Sequence, residues 1–188
     1  ESCPHFMTLR LILTRHAKSS WDDPHMSDHD RQLSKRGRDS ASALGRWLSA
    51  TALCPDEVMV SSAERTRETW DLISSEGCAP VEADIAPSLY LAEPDVMLNA
   101  LKGATGRTVM MIGHNPGTSF MAHGLLDNPP ATHLFDRYPT GASAVIDFDI
   151  DDWEDLTWRM GRLHDFVVPR DLLAAEDAMA KEPRPLSA

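Results

Sequence analysis

The chain has 188 residues, a length that buries most of its apolar surface around one core, so a single domain is expected. Its 42% hydrophobic and 25% charged residues are those of an ordinary folded protein, which excludes a disordered or membrane-embedded chain. With 18 Lys and Arg against 29 Asp and Glu the formal charge is -11, a field that repels nucleic acid and anionic lipid, so neither is expected as a partner.

Residues 1–6 precede Met7 and are set apart as an expression remnant or a disordered start, leaving 7–188 as the expected domain. Leu9 to Thr14 is a short apolar, β-prone run that predicts a buried strand delivering Arg15 and His16 at its C-terminal end. Residues 21–33 are polar, rich in Asp and His around Pro24, and predict a surface loop. Ser34 is placed to cap a helix in which Ala41, Leu44, Trp47 and Leu48 recur at helical spacing, ending near Ala50. Glu57 to Ser61 predicts a second strand, and Ala63 to Ser75 an amphipathic helix presenting Trp70, Leu72 and Ile73.

A weak extended stretch runs from Gly77 to Ala86, and Pro94 opens a helix to about Lys102, where its missing N–H costs nothing. Arg107 to Ile112 is the clearest buried strand; it ends at Gly113 and His114, and Pro116 starts a helix to about Leu126. After a Pro-rich turn at 128–131, Ala142 to Ile150 and Leu156 to Phe166 predict two later strands, and Arg170 to Lys181 a terminal helix. Strands alternating with helices predict an α/β fold: a three-layer sandwich with a mostly parallel central sheet flanked by helices.

Cys3, Cys54 and Cys78 are widely spaced and form no CxxC pair, which predicts neither a disulfide framework nor a structural zinc site and favours a reducing cytoplasm. No apolar run approaches the ~20 residues needed to cross a bilayer, and no signal-peptide stretch opens the chain, so a cytoplasmic location is expected.

Three polar clusters, Arg15-His16, Ser61 to Arg65 and His114-Asn115, each follow a predicted buried strand. In an open α/β sheet such strand ends converge on one crevice, where ligands bind. Two Arg and two His gathered there, in a chain of charge -11, repel one another unless an anion sits between them. The planar fork of Arg suits phosphate oxygens, and a neutral imidazole held at one nitrogen offers the other as an in-line nucleophile toward phosphorus. Such chemistry calls for no metal and no cofactor.

These residues resemble the histidine phosphatase, or phosphoglycerate mutase-like, superfamily. Leu13-Thr14-Arg15-His16-Ala17 is similar to its Arg-His-Gly signature with Ala17 in the place of Gly, the Ser61 to Thr69 segment to its Ser, Arg and Thr segment, and Gly113 to Gly117 to its second His. The resemblance covers nearly the whole chain. It implies a phosphoglycerate mutase-like fold, His16 as a transiently phosphorylated nucleophile, and Arg15, Arg65 and His114 as ligands of the phosphoryl oxygens. Arg67 is the nearest competitor to Arg65. The family's proton donor maps onto Glu93 or Asp95, both of which also suit the N-terminus of the following helix. Asp22 stands where mutase-type members commonly carry an Asn that binds phosphate, which weakens a mutase reading.

The gap between Glu93 and His114 leaves no room for a large covering insertion. An open site fits a phosphorylated protein, and the layout resembles the SixA-type phosphohistidine phosphatases. The alternatives are a small phosphoester or signalling nucleotide as substrate, and a silent module that only binds phosphate. His25 and His29, four apart among Asp22, Asp23, Asp28 and Asp30, would ligate a divalent metal if helical, or else belong to a solvated loop. Trp21 is read either as a substrate platform or as packing.

Overall fold

The structure, a computed structural model, describes residues 8–181; the expectation for residues 1–6 lies outside them. The apolar run Thr8–Arg15 forms β1, which pairs with a neighbour on both sides and so lies inside the sheet. After the loop at 21–33, α1 (Lys35–Ala50) starts where Ser34 Oγ accepts from the Gly37 N–H at 3.1 Å, a cap worth about 1 kcal/mol. Then come β2 (Glu57–Ser61), α2 (Glu64–Ser74), β3 (Ala83–Ala86), α3 (Pro94–Lys102), β4 (Thr108–Gly113), α4 (Gly117–Leu125) and α5 (His133–Arg137). The chain closes with β5 (Ser143–Asp149), β6 (Arg162–Val167) and α6 (Pro169–Lys181).

The six strands lie in the order β3-β2-β4-β1-β5-β6. The first four are mutually parallel, and β5 and β6 extend them antiparallel. Because side chains alternate across a strand, Leu11 and Leu13 of β1 and Val109 and Met111 of β4 enter one core, with Leu101 of α3, Leu125 of α4 and Phe135 of α5. Ile12, Met110 and Ile112 enter the other, against Leu44 and Leu48 of α1 and Trp70 and Ile73 of α2. Helices on both faces complete the expected three-layer sandwich.

Register assembles the site. Arg15 pairs with Gly113, and Val60 with Ile112, so the C-terminal ends of β1, β4 and β2 lie side by side. Tyr138 locks the neighbouring corner: its buried hydroxyl donates to the Leu13 carbonyl at 2.5 Å and accepts from the Ala144 N–H at 3.0 Å.

Three expectations need correction. The extended stretch after Gly77 becomes strand only at Ala83–Ala86. The strand expected from Leu156 begins at Arg162, because residues 158–159 form a turn with Arg159 in the left-handed region at φ 64; ahead of it a 3-10 turn at 153–155 buries Trp153, its Nε1 donating to the Gly106 carbonyl at 2.7 Å. Third, Cys54 and Cys78 are joined in a disulfide between the loops following α1 and α2. The folding of α1 against α2 brings these loops together, and the cysteine argument for a reducing compartment falls with it.

Candidate active site

His16 lies just past β1 and is buried; its backbone N–H donates to the Gly113 carbonyl at 3.1 Å. Its Nδ1 is 2.7 Å from the Ala17 carbonyl oxygen. A carbonyl only accepts, so Nδ1 carries the proton and Nε2 is left with its lone pair. Burial, opposed by the Ala17 carbonyl and reinforced by His114, Arg65 and Arg15, pushes this imidazole down to about 3. Ala17 keeps an ordinary negative φ and donates its N–H to Thr69 Oγ1 at 3.1 Å, so the backbone here has no need of Gly.

His114 follows β4, its ring centroid 5.3 Å from that of His16. Arg65 Nη2 lies 3.2 Å from His114 Nδ1, and a guanidinium only donates. His114 therefore accepts there and donates from Nε2 to Ser61 Oγ at 2.7 Å. Burial first and Arg65 second push His114 down to about 3 as well, against the pull of Asp28.

Arg15 Nη1 donates to the Tyr138 carbonyl at 3.0 Å. Arg65, almost fully buried, donates from Nη1 to the Asp28 carbonyl at 2.6 Å and from Nη2 to Asp28 Oδ2 at 3.1 Å. The Nε–H groups of Arg15 and Arg65 are buried with no hydrogen-bond partner among the described residues. Unmet buried donors on two charged groups are costly unless an acceptor reaches them. Both line an open cleft of about 390 Å³ with His16 and His114.

The loop at 21–33 contributes more than the sequence suggested. Arg31 is buried, stacks 3.6 Å over the Trp21 ring, donates from Nη1 to Ser19 Oγ at 2.6 Å and from Nη2 to Asp28 Oδ1 at 2.9 Å. Trp21 itself is 74% exposed on the cleft rim, which excludes core packing and leaves one ring face against Arg31. Asp28 also accepts from the Tyr90 hydroxyl at 2.5 Å. Although its partial burial works the other way, the Tyr90 and Arg31 hydrogen bonds and the Arg65 charge hold the Asp28 carboxyl well below the usual carboxylate range. Arg31 and Tyr90 went unnoticed, and Asp28 was read only as part of a possible metal cluster, because an irregular segment has no period to mark an inward side chain.

Other candidates fall outside the cleft. Glu93 is exposed at the N-cap of α3, and Asp95 is exposed in its first turn; neither lines the cleft, whereas Leu91 does. Of the two readings of Glu93, proton donor or complement to the helix start, its position is that of the second. Arg67 is exposed and ion-pairs loosely with Glu64 at 3.9 Å. His25 and His29 lie in a non-helical loop, and no group of three His, Cys, Asp or Glu that could hold a metal occurs among the described residues.

The sequence model of the histidine phosphatase superfamily (branch 1) matches residues 11–88, which include Arg15, His16 and Arg65. An uncharacterized protein of Mycobacterium leprae is 34% identical over 165 residues, covering 83% of this chain and 99% of that one. The chain belongs to the histidine phosphatase superfamily. It is an enzyme of the histidine phosphatase type, and its fold is phosphoglycerate mutase-like. A protein provisionally named phosphohistidine phosphatase SixA, of Nakamurella multipartitia, superposes with a TM-score of 0.74 at 26% identity, covering 86% of this chain and 96% of that one. The protein histidine phosphatase SixA complexed with tungstate shares the fold at 20% identity, with a TM-score of 0.71, covering 87% and 99% of the two chains. No helix among the described residues is long and apolar enough to cross a membrane.

Proposed function

We propose that this histidine phosphatase hydrolyses phosphohistidine in proteins, without a metal, through a phosphohistidine intermediate on His16. The observation that carries the reading is the His16 Nδ1 proton held on the Ala17 carbonyl at 2.7 Å, which leaves Nε2 with its lone pair in a cleft that Arg15 and Arg65 also line. The Nε2 lone pair attacks phosphorus in line, and the bond to the leaving group breaks on the opposite side. Arg15 and Arg65 take the oxygens, with His114 beside them and Arg31, paired with Asp28, lining the same cleft.

The retained Nδ1 proton decides the second half. With it in place, the phosphorylated ring is cationic, and water attacking phosphorus releases neutral His16 and dihydrogen phosphate with no further proton donor. The same logic selects the substrate. An imidazole whose other nitrogen carries a proton leaves as a neutral ring, whereas an alcohol leaves as an alkoxide unless an acid supplies a proton. Asp28, the carboxylate of the cleft, is held ionised and cannot serve. That favours phosphohistidine over a small phosphomonoester.

The test compares a histidine-phosphorylated protein with p-nitrophenyl phosphate, in chelator, for the native chain and His16→Ala. The native chain retains its rate in chelator and favours the phosphoprotein, and His16→Ala loses about 10³-fold or more. A chelator-sensitive rate, or a fully active His16→Ala, would overturn the mechanism. A preference for the aryl ester would overturn the substrate class.

A further inference from the structure

Sharing Lys18 and Thr140 with the cleft is a second groove of about 480 Å³, between the first turns of α1, the Arg137–Thr140 turn and the start of α6. Lys18, Arg36, Arg137 and Arg170 line it, all exposed, with Asp177 as the carboxylate among its lining residues. The side chains of Lys18, Arg36 and Arg137 make no hydrogen bond or ion pair among the described residues, and Arg170 has a 3.5 Å contact to its exposed neighbour Asp171. Cleft and groove together take seven of the chain's 18 Lys and Arg but two of its 29 Asp and Glu. The acidic chain therefore concentrates cations on one continuous surface, where they attract anions against the sign of the whole molecule.

The groove is not built for charge alone. Leu134, Val168, Pro169 and Leu173 line it between the cations. A second phosphate on a small molecule has no use for such surface. A peptide segment does, because its backbone and aliphatic stems cover the apolar residues while its carboxylates meet the rim.

We propose that this groove docks an acidic segment flanking the phosphohistidine of the protein substrate, an inference that rests on the phosphohistidine reading above. Charge complementarity names the occupant, and the shared boundary at Lys18 places it beside the reacting phosphoryl group.

The experiment uses two phosphohistidine peptides, identical except that Glu residues flanking the phosphohistidine in one are Gln in the other. Each is given to the native chain and to the triple variant Arg36→Gln/Arg137→Gln/Arg170→Gln, with p-nitrophenyl phosphate as control. For the native chain kcat/KM on the Glu peptide exceeds that on the Gln peptide about tenfold, and the preference shrinks at high salt. In the triple variant the ratio falls to about one through KM, while the rate on p-nitrophenyl phosphate stays within about twofold of native, which shows an intact fold. A native ratio near one, or a ratio the variant leaves intact, overturns the docking site alone. Hydrolysis of p-nitrophenyl phosphate with neither peptide turned over overturns the phosphohistidine reading, and the docking site with it. A variant that slows only on a bisphosphorylated sugar shows the groove taking a second phosphate, and also overturns docking.

Discussion

The lone pair on His16 Nε2 is available only while the ring stays neutral, and burial among cations keeps it so. His16 and His114 are both lowered to about 3 from an ordinary value near 6.5. Between those values the folded chain binds fewer protons than the unfolded chain, so the stability the pair contributes is complete above about pH 6.5 and is lost as pH falls toward 3. Two measurements follow from this. In NMR of the free enzyme, neither imidazole titrates between pH 8 and about 5, and a midpoint near 6.5 for His16 would show it exposed to water. In urea, the midpoint of the native chain drops between pH 7 and pH 4.5, and that of His114→Gln drops less, because one proton-linked group has gone.

Among the elements, those with an uninterrupted signal were legible. β1, β2 and β4 are continuous apolar runs, and α1 and α2 carry a clear apolar stripe, so their ends fell within a residue or two of expectation. β3 was legible only as the end of a weak extended stretch, being a half-exposed edge strand of four residues, and α5 was hidden, a five-residue turn that ends at Tyr138 in the left-handed region. The Cys54–Cys78 bond was also illegible, because its partners are 24 residues apart and meet only once α1 and α2 pack. Closing a loop of that length is worth about 3 kcal/mol. Cys54 precedes β2 at the edge of the sheet opposite Ser61, away from the cleft. Reductant is therefore expected to lower the unfolding free energy by about 3 kcal/mol while leaving kcat/KM of the folded enzyme unchanged. A loss of activity at constant fold would place the bridge in contact with the site.

On the scale of the whole molecule, the problem is to hold a phosphoryl dianion in a chain of charge -11. Arg15, His16 and His114 could be brought together from the sequence because each stands at the end of a predicted strand, and Arg65 because it opens the helix that follows β2; adjacency in the sheet did the rest. The place of Asp28 and Arg31 in the cleft and the neighbouring groove were not, since they depend on how loops and α6 fold back over the sheet. Inorganic phosphate tests whether local charge prevails over the global field. At a hundred times its dissociation constant it adds about 2.7 kcal/mol to stability, which for a chain of this size raises the thermal midpoint by roughly 5–10 °C. Phosphate also stabilises proteins by exclusion from their surface, so the comparison that matters is with Arg15→Gln/Arg65→Gln. Exclusion acts alike on both chains, and only the native one has the two guanidinium groups that line the cleft. A shift that saturates in the native chain and becomes small and linear in the variant assigns the binding to the cleft. Equal shifts would mean that the arginines do not meet the dianion.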